Sequence, residues 1–136
     1  MDSLTFLVVD DSATIRQLLT LTLRKFNSGS HLKIIEATDG REALEKVRMA
    51  HYDLVLTDIK MPNIDADALL TLLAETGYQG KILVVSGQDN DTLRAVADNG
   101  ERLGLVRPDT MQKPIDVSAL RLMLGNLWRD ARARVA

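Results

Sequence analysis

Continuous apolar runs of strand length alternate along this chain with segments in which apolar residues recur at helical spacing. The clearest run covers 4–9 and has almost no polar residue, which is typical of a strand buried on both faces of a parallel sheet. The alternation predicts a doubly wound α/β fold with five parallel strands and five flanking helices. The predicted strands lie at 4–9, 32–37, 53–57, 82–85 and 105–112. The predicted helix caps are Asp11 or Ser12, Asp39, Asp65, Asp91 and Asp116.

The composition limits the classes of function that this chain can have. Its 136 residues, without repeats or linker-like tracts, fit one domain, which we expect at 1–128 with a C-terminal helix extension or linker stub at 129–136. The absence of cysteine excludes disulfides, thiol catalysis and cysteine metal sites. A net charge of −2 argues against direct nucleic-acid binding, and no apolar run is long enough for membrane insertion. Together with the lack of a signal-peptide pattern, these features predict a cytoplasmic protein.

Acidic, hydroxyl and basic residues follow the ends of the predicted strands. They are Asp10, Asp11, Asp58, Ser86 and Lys113. The carboxyl ends of the strands form the ligand-binding edge of such a sheet. Clustered carboxylates repel one another unless a hard cation such as Mg²⁺ neutralises them, and a carboxylate is also a nucleophile toward phosphorus. A lysine and a hydroxyl supply the charge and the hydrogen bond that phosphoryl transfer needs, so the set predicts an aspartyl-phosphate site.

These residues, with Met61-Pro62 and Lys113-Pro114, resemble the pattern of response-regulator receiver domains over about residues 4–127. The resemblance implies the flavodoxin-like strand order 2-1-3-4-5 and a function in two-component signal transduction. It implies that Asp58 is the phosphoacceptor, that Asp10, Asp11, Asp58 and the Lys60 backbone carbonyl bind Mg²⁺, and that Ser86 and Lys113 bind the phosphoryl group.

The resemblance also implies partners on both sides of the signal. The phosphoryl donor would be a histidine kinase or a histidine phosphotransfer protein. The phosphorylated state would control an output domain or protein, with a second receiver as one such partner. Apart from its own phosphorylation and dephosphorylation, the chain is not expected to be an enzyme.

Two features depart from the usual receiver pattern. Thr110 stands three residues before Lys113, where many receivers carry Tyr or Phe. The stretch from Ser86 to Lys113 is longer than in most receivers, and its second half looks most like receivers attached to cyclic-di-GMP phosphodiesterase (EAL) domains. Because glycines, a proline and few large core residues occupy 89–112, we expect this segment to have low local stability.

Three other interpretations remain open from the sequence. A haloacid-dehalogenase-like phosphatase also uses an aspartyl nucleophile, but it needs a second acid two residues later, where this chain has Lys60 or Ser12. A flavodoxin-like flavin binder holds a phosphate after the first strand, where Asp10 and Asp11 would repel it. A pseudo-receiver, which folds but is never phosphorylated, is the remaining alternative, and the complete set of five residues argues against it.

Overall fold

The computed structural model describes residues 3–25, 31–60 and 65–135, with side chains described as far as 127 and at 129. Five strands and five helices alternate along the chain. The strands are β1 (Ser3–Val9), β2 (His31–Ala37), β3 (Leu54–Thr57), β4 (Lys81–Ser86) and β5 (Asp109–Gln112). The helices are α1 (Ala13–Lys25), α2 (Gly40–Val47), α3 (Ala66–Glu75), α4 (Asn90–Arg102) and α5 (Val117–Val135).

All four strand pairs are parallel, and the sheet order is β2-β1-β3-β4-β5. The predicted fold class and strand order are therefore confirmed. Successive side chains of a strand point to opposite faces of the sheet. Phe6 and Val8 accordingly lie in the cluster under α1 and α5, whereas Leu7 and Val9 lie in the cluster under α2, α3 and α4. Burial on both faces explains why the sequences of the three inner strands, β1, β3 and β4, are almost continuously apolar.

Helix boundaries follow the capping residues in most of the predicted places. The Asp39 and Asp65 carboxylates accept hydrogen bonds from the backbone N–H groups of Glu42 and Ala68, as N-caps do. At the end of α3, Gly77 adopts a φ of 75°, a left-handed conformation that suits glycine and stops the helix. No helix in the described ranges is long and apolar enough to cross a membrane.

The predicted start of α4 is wrong by two residues. Asp89, not Asp91, is the N-cap, since its carboxylate accepts a hydrogen bond from the Thr92 N–H at 2.8 Å and its own backbone is extended. Asp91 lies in the first turn of the helix instead. The sequence offers Asp, Asn and Asp in succession, all of which are good caps, so propensity alone does not choose among them.

The large core residues of 89–112 are few, as expected, but they are not scattered. The buried residues of this segment are Leu93, Val96, Ala97, Gly100, Leu105 and Pro108. The first four recur at helical spacing on one face of α4, and the many polar residues between them obscure the pattern in the sequence. The segment therefore joins the core instead of lying loosely over it.

The loop after α4 packs back onto the helix. Pro108 lies against Gly100 so closely that a Cβ at position 100 would meet the proline Cγ at 2.7 Å. The Arg107 Nη1 donates to Asp98 on the helix at 2.8 Å. Helix α4 and the loop that leads to β5 therefore form one packed unit, which begins beside the carboxyl edge of the sheet and ends at its amino edge.

Candidate functional site

The parallel register brings the predicted site residues to one edge of the sheet. Val9 pairs with Thr57, so Asp10 and Asp58 leave two neighbouring strands at the same level. Ser86 is the last residue of β4 and pairs with Gln112, which directly precedes Lys113. Asp10 and Ser86 are both only 2% exposed. A carboxylate and a hydroxyl are thus buried where parallel α/β sheets bind their ligands.

Lys113 joins the two acidic strand ends. Its Nζ lies 2.9 Å from Asp58 Oδ2 and 3.3 Å from Asp10 Oδ2. Its side chain is 24% exposed, compared with 3% for Asp10 and 13% for Asp58. Burial tends to lower the pKa of Lys113, but the hydrogen bonds and negative charges of Asp58 and Asp10 outweigh it, so the pKa is raised above the ordinary lysine value. The ammonium is therefore fully charged at neutral pH.

Each of the two bridged carboxylates uses its second oxygen for a backbone contact. Asp10 Oδ1 accepts a hydrogen bond from the Ser12 N–H at 2.9 Å, and Asp58 Oδ1 accepts one from the Ile59 N–H at 2.6 Å. The Asp58 N–H in turn donates to the Val9 carbonyl at 3.3 Å, which fastens the end of β3 to the end of β1. The two acids are consequently oriented by the backbone before any ligand binds.

Ser86 begins a short loop that two side chains hold. Its Oγ accepts a hydrogen bond from the Gln88 N–H at 3.3 Å, and its carbonyl accepts one from the Lys113 N–H at 2.8 Å. The Gln88 carbonyl accepts a further bond from the Gln112 side chain at 3.0 Å. The loop between β4 and α4 is therefore tied to β5 next to Lys113, a connection that the sequence did not predict.

Asp11 and Lys60, the remaining predicted metal ligands, are both exposed. Asp11 makes no polar contact with another residue of the described part of the chain. Among the described side chains, which extend to residue 127 and include 129, no group of three or more acidic or histidine side chains is arranged to hold a metal by itself. Met61-Pro62, which is also part of the receiver pattern in the sequence, lies outside the described residues.

The donors at this edge nevertheless fit Mg²⁺. Mg²⁺ prefers one or two carboxylates completed by water and phosphate oxygens to a closed protein cage. The Asp10 and Asp58 carboxylates converge on a single cation, the Lys113 ammonium, and the exposed Asp11 directly follows Asp10 in the chain. An open acidic site of this kind suits a weakly held ion that shares its ligands with a phosphoryl group.

Thr110 lies on the surface of β5, in register with Val84. It lines a cleft of about 400 Å³ between α4 and β5, together with Arg94, Ala97 and Arg107. No aromatic ring occupies this position, as the sequence indicated. The other predicted residues converge on the acidic edge, whereas Thr110 faces this separate cleft.

Arg16 is a site residue that the sequence analysis missed. Its guanidinium donates to the Asp10 carbonyl at 2.6 Å and to the Glu36 carboxylate at 3.3 Å. A signal for it does exist, because a cation near a helix N-terminus is disfavoured by the helix dipole and so indicates a specific contact. Arg16 lies in that unfavourable position, at the fourth residue of α1.

Comparison with known proteins identifies the arrangement. Residues 6–124 match the family described as the response regulator receiver domain. The chain belongs to this family. Receivers of this family serve as phosphoacceptors in two-component signalling, bind Mg²⁺ at the phosphorylation site and interact with histidine kinases and output domains.

Two curated relatives illustrate the range of proteins that contain such a receiver. The sensor protein EvgS of Escherichia coli O157:H7 is 37% identical over 112 residues, which are 81% of this chain and 9% of EvgS. The transcriptional regulatory protein PcoR of Escherichia coli is 30% identical over 98 residues, which are 72% of this chain and 41% of PcoR. The receiver thus spans less than half the length of either relative.

A solved structure agrees with the fold. The chemotaxis protein CheY4 of Vibrio cholerae is 26% identical and superimposes with a TM-score of 0.72. The match covers 92% of this chain and 98% of CheY4. The doubly wound architecture is therefore that of a receiver over nearly the whole chain.

Proposed function

We propose that Asp58 is the residue of this receiver that accepts the phosphoryl group. The observation that supports this assignment is the contact of Lys113 Nζ with both Asp58 Oδ2 and Asp10 Oδ2 at the carboxyl edge of the sheet. Asp58 follows β3, the central strand, and is 13% exposed, so its carboxylate is fixed and still accessible to a donor. Asp10 is nearly inaccessible by comparison, at 3% exposure, which favours Asp58 as the nucleophile.

Phosphoryl transfer to Asp58 forms one bond to phosphorus and breaks one. A carboxylate oxygen of Asp58 forms a bond to phosphorus while the bond between phosphorus and the donor's histidine nitrogen breaks. The donor in this proposal is a histidine kinase or a histidine phosphotransfer protein. Little covalent chemistry is left for the protein, so its contribution is to fix geometry and to neutralise the charge of the phosphoryl oxygens.

Three carboxylates and one backbone carbonyl are the proposed Mg²⁺ ligands. They are Asp10, Asp11, Asp58 and the carbonyl of Lys60. When bound, the ion supplies positive charge to the phosphoryl oxygens and removes the repulsion among the acids. Asp11 reaches the site from an exposed position in the turn after β1, and Lys60 lies two residues after the acceptor.

Lys113 and Ser86 are the proposed readers of the phosphoryl group. The Lys113 ammonium acts as a point charge. After transfer it moves toward the new negative charge on Asp58 and loses its contact with Asp10. The Ser86 hydroxyl turns from the Gln88 N–H toward a phosphoryl oxygen, which frees the loop between β4 and α4. In this proposal the packed unit of α4 and its following loop then shifts, because the chain has Thr110 and no aromatic ring to carry the change.

We further propose where the receiver domain ends and where it acts. The domain extends over 1–128, and α5 continues without a break through the expected extension at 129–136 as far as Val135. The protein acts in the cytoplasm and controls an output domain, an output protein or a second receiver. It catalyses nothing beyond its own phosphorylation and dephosphorylation, and the likeness to receivers of cyclic-di-GMP phosphodiesterases stays a prediction.

A small phosphoryl donor tests the proposal without knowledge of the kinase. The receiver is incubated with acetyl phosphate, with and without Mg²⁺, and its intact mass is measured. We expect a gain of a single phosphoryl group that depends on Mg²⁺ and disappears on treatment with hydroxylamine, which cleaves acyl phosphates. A protein that never gains this mass, from acetyl phosphate or phosphoramidate, would instead be a pseudo-receiver.

A further inference from the structure

Arg16 connects three segments next to the acidic edge. The guanidinium, on α1, donates through Nη1 to the carbonyl of Asp10 at the end of β1. Through Nε it donates to the carboxylate of Glu36 near the end of β2. The Arg16 side chain is only 14% exposed, whereas Glu36 is 48% exposed. The contact with the Asp10 carbonyl is therefore the shorter and the better shielded of the two.

The contact with Arg16 completes the fixation of the turn at Asp10–Ser12. The Asp10 N–H donates to the Ala37 carbonyl at 3.2 Å, and the Ser12 N–H donates to Asp10 Oδ1 at 2.9 Å. Arg16 holds the one remaining polar group of Asp10, its carbonyl oxygen. Both peptide groups of Asp10 are thus fixed, one to β2 and the other to α1.

Asp11 depends on this turn for its direction. Its side chain is exposed and makes no polar contact with any residue in the described ranges, so only the backbone orients it. A rotation of the peptide between Asp10 and Asp11 would change the direction of the Asp11 side chain. Arg16 is the side chain that opposes this rotation.

We propose that Arg16 is a positioning residue for divalent cation binding by this receiver. It fixes the turn at Asp10–Ser12 and thereby aims Asp11 at the edge where Asp10 and Asp58 lie. The inference rests on the proposed function, in which Asp10 and Asp11 bind Mg²⁺. Arg16 acts through the turn and is not itself a ligand.

The charge of Arg16 makes this proposal easy to distinguish from a simple electrostatic effect. A positive charge beside a cation site repels the cation, so its removal alone would strengthen Mg²⁺ binding. Loss of a positioning contact has the opposite effect. Substitution of a residue that orients a metal ligand typically weakens metal binding by about 10–100-fold. The sign of the change therefore decides between the two explanations.

The first measurement is a Mg²⁺ titration followed by the amide NMR shifts of Asp11 and Ser12. We expect Arg16→Met to bind Mg²⁺ about tenfold more weakly than the wild type, at the low end of that range. Arg16→Lys keeps the charge but lacks the planar guanidinium whose separate nitrogens contact the Asp10 carbonyl and the Glu36 carboxylate, so we expect a smaller loss, about threefold. The matched control is Arg24→Met, which removes the same charge from the exposed end of the same helix and should change the affinity by less than about twofold.

The second measurement needs no metal and separates this inference from the proposed function. In the metal-free protein, hydrogen exchange at the Asp10 and Ser12 amides should be faster in Arg16→Met than in the wild type and in Arg24→Met. If the wild type shows no Mg²⁺-dependent shifts, the proposed metal site is wrong, and exchange alone then decides the role of Arg16 in holding the turn. Unchanged or tighter Mg²⁺ binding in Arg16→Met, or wild-type exchange at both amides, overturns the inference. Arg16→Lys replaces Arg16→Met in both comparisons if the methionine variant does not fold.

Discussion

Lys113 and Asp58, which are 55 residues apart in the chain, approach each other to 2.9 Å between Nζ and Oδ2. The same ammonium lies 3.3 Å from Asp10 Oδ2, so a single cation is shared by two largely buried acids. The unphosphorylated receiver thus has a net negative charge at this edge of the sheet. That charge favours Mg²⁺ and leaves a lysine positioned to contact a phosphoryl group on Asp58.

The pKa of Lys113 leads to a prediction about alkaline stability. This pKa is raised in the folded protein, because Asp58 and Asp10 outweigh the effect of burial. A raised lysine pKa stabilises the fold at pH values below the unfolded pKa, and the stabilisation is lost as the pH rises through the folded pKa. We therefore expect the free energy of unfolding to fall more steeply in the wild type than in Lys113→Met as the pH rises above the ordinary lysine pKa of about 10.4.

Urea unfolding at a series of pH values measures this difference. Tyr52, whose pKa is raised by burial, also destabilises the fold at alkaline pH, but it does so equally in both proteins. Only the difference between the two profiles reports on Lys113. Profiles that run parallel through the alkaline range would show that the charge of Lys113 is not coupled to the acids.

Metal binding should depend on Asp11 even though this residue is exposed. We expect Asp11→Ala to weaken Mg²⁺ binding about tenfold or more, since the ion loses one of few protein ligands. The free energy of unfolding without metal should not decrease, because the substitution also removes a negative charge beside two others. A titration followed by amide shifts, combined with urea unfolding, checks both parts. Equal Mg²⁺ affinity in the variant and the wild type would exclude Asp11 as a ligand.

Gly100 tests whether α4 and the following loop form one packed unit. A Cβ at this position would lie 2.7 Å and 2.8 Å from two carbons of the rigid Pro108 ring, so Gly100→Ala should destabilise the protein by about 1–3 kcal/mol. Gly125, on α5, has no atom within 4 Å of a Cβ, so Gly125→Ala should stabilise it by about 0.5–1 kcal/mol through helix propensity. Urea unfolding compares the two variants. A neutral or stabilising Gly100→Ala would mean that the loop does not pack as described.

Activation should change the amide environment and hydrogen exchange of residues 89–112. Beryllofluoride with Mg²⁺ imitates the aspartyl phosphate, and we expect amide shifts and altered hydrogen exchange in α4, its following loop and β5. The physical reason is that the Gln88 backbone is hydrogen-bonded to the side chains of both Ser86 and Gln112. Rotation of the Ser86 hydroxyl would break one of these hydrogen bonds and so loosen the loop before α4. Changes confined to the surroundings of Asp10, Asp11 and Asp58 would exclude this route. The first helix would then be the next candidate for output.

Much of the fold and of the site was predictable, because both depend on where apolar runs end. In a parallel sheet the residue at or just after the carboxyl end of each strand lies at the ligand edge, so Asp10, Asp58, Ser86 and Lys113 followed from the strand boundaries. The start of α4 was not predictable, since Asp89 and Asp91 are equally good caps. Arg16 was missed because its unfavourable place near the N-terminus of α1 indicates some specific contact but does not identify the partners, Asp10 and Glu36, which the fold brings close.

The identity of the phosphoacceptor is the central claim, and intact mass after exposure to acetyl phosphate and Mg²⁺ tests it most directly. The comparison uses the wild type, Asp58→Asn and the matched control Asp91→Asn, whose substituted side chain lies exposed in the first turn of α4. We predict one added phosphoryl group in the wild type and in Asp91→Asn, and none in Asp58→Asn. Full labelling of Asp58→Asn would contradict the assignment.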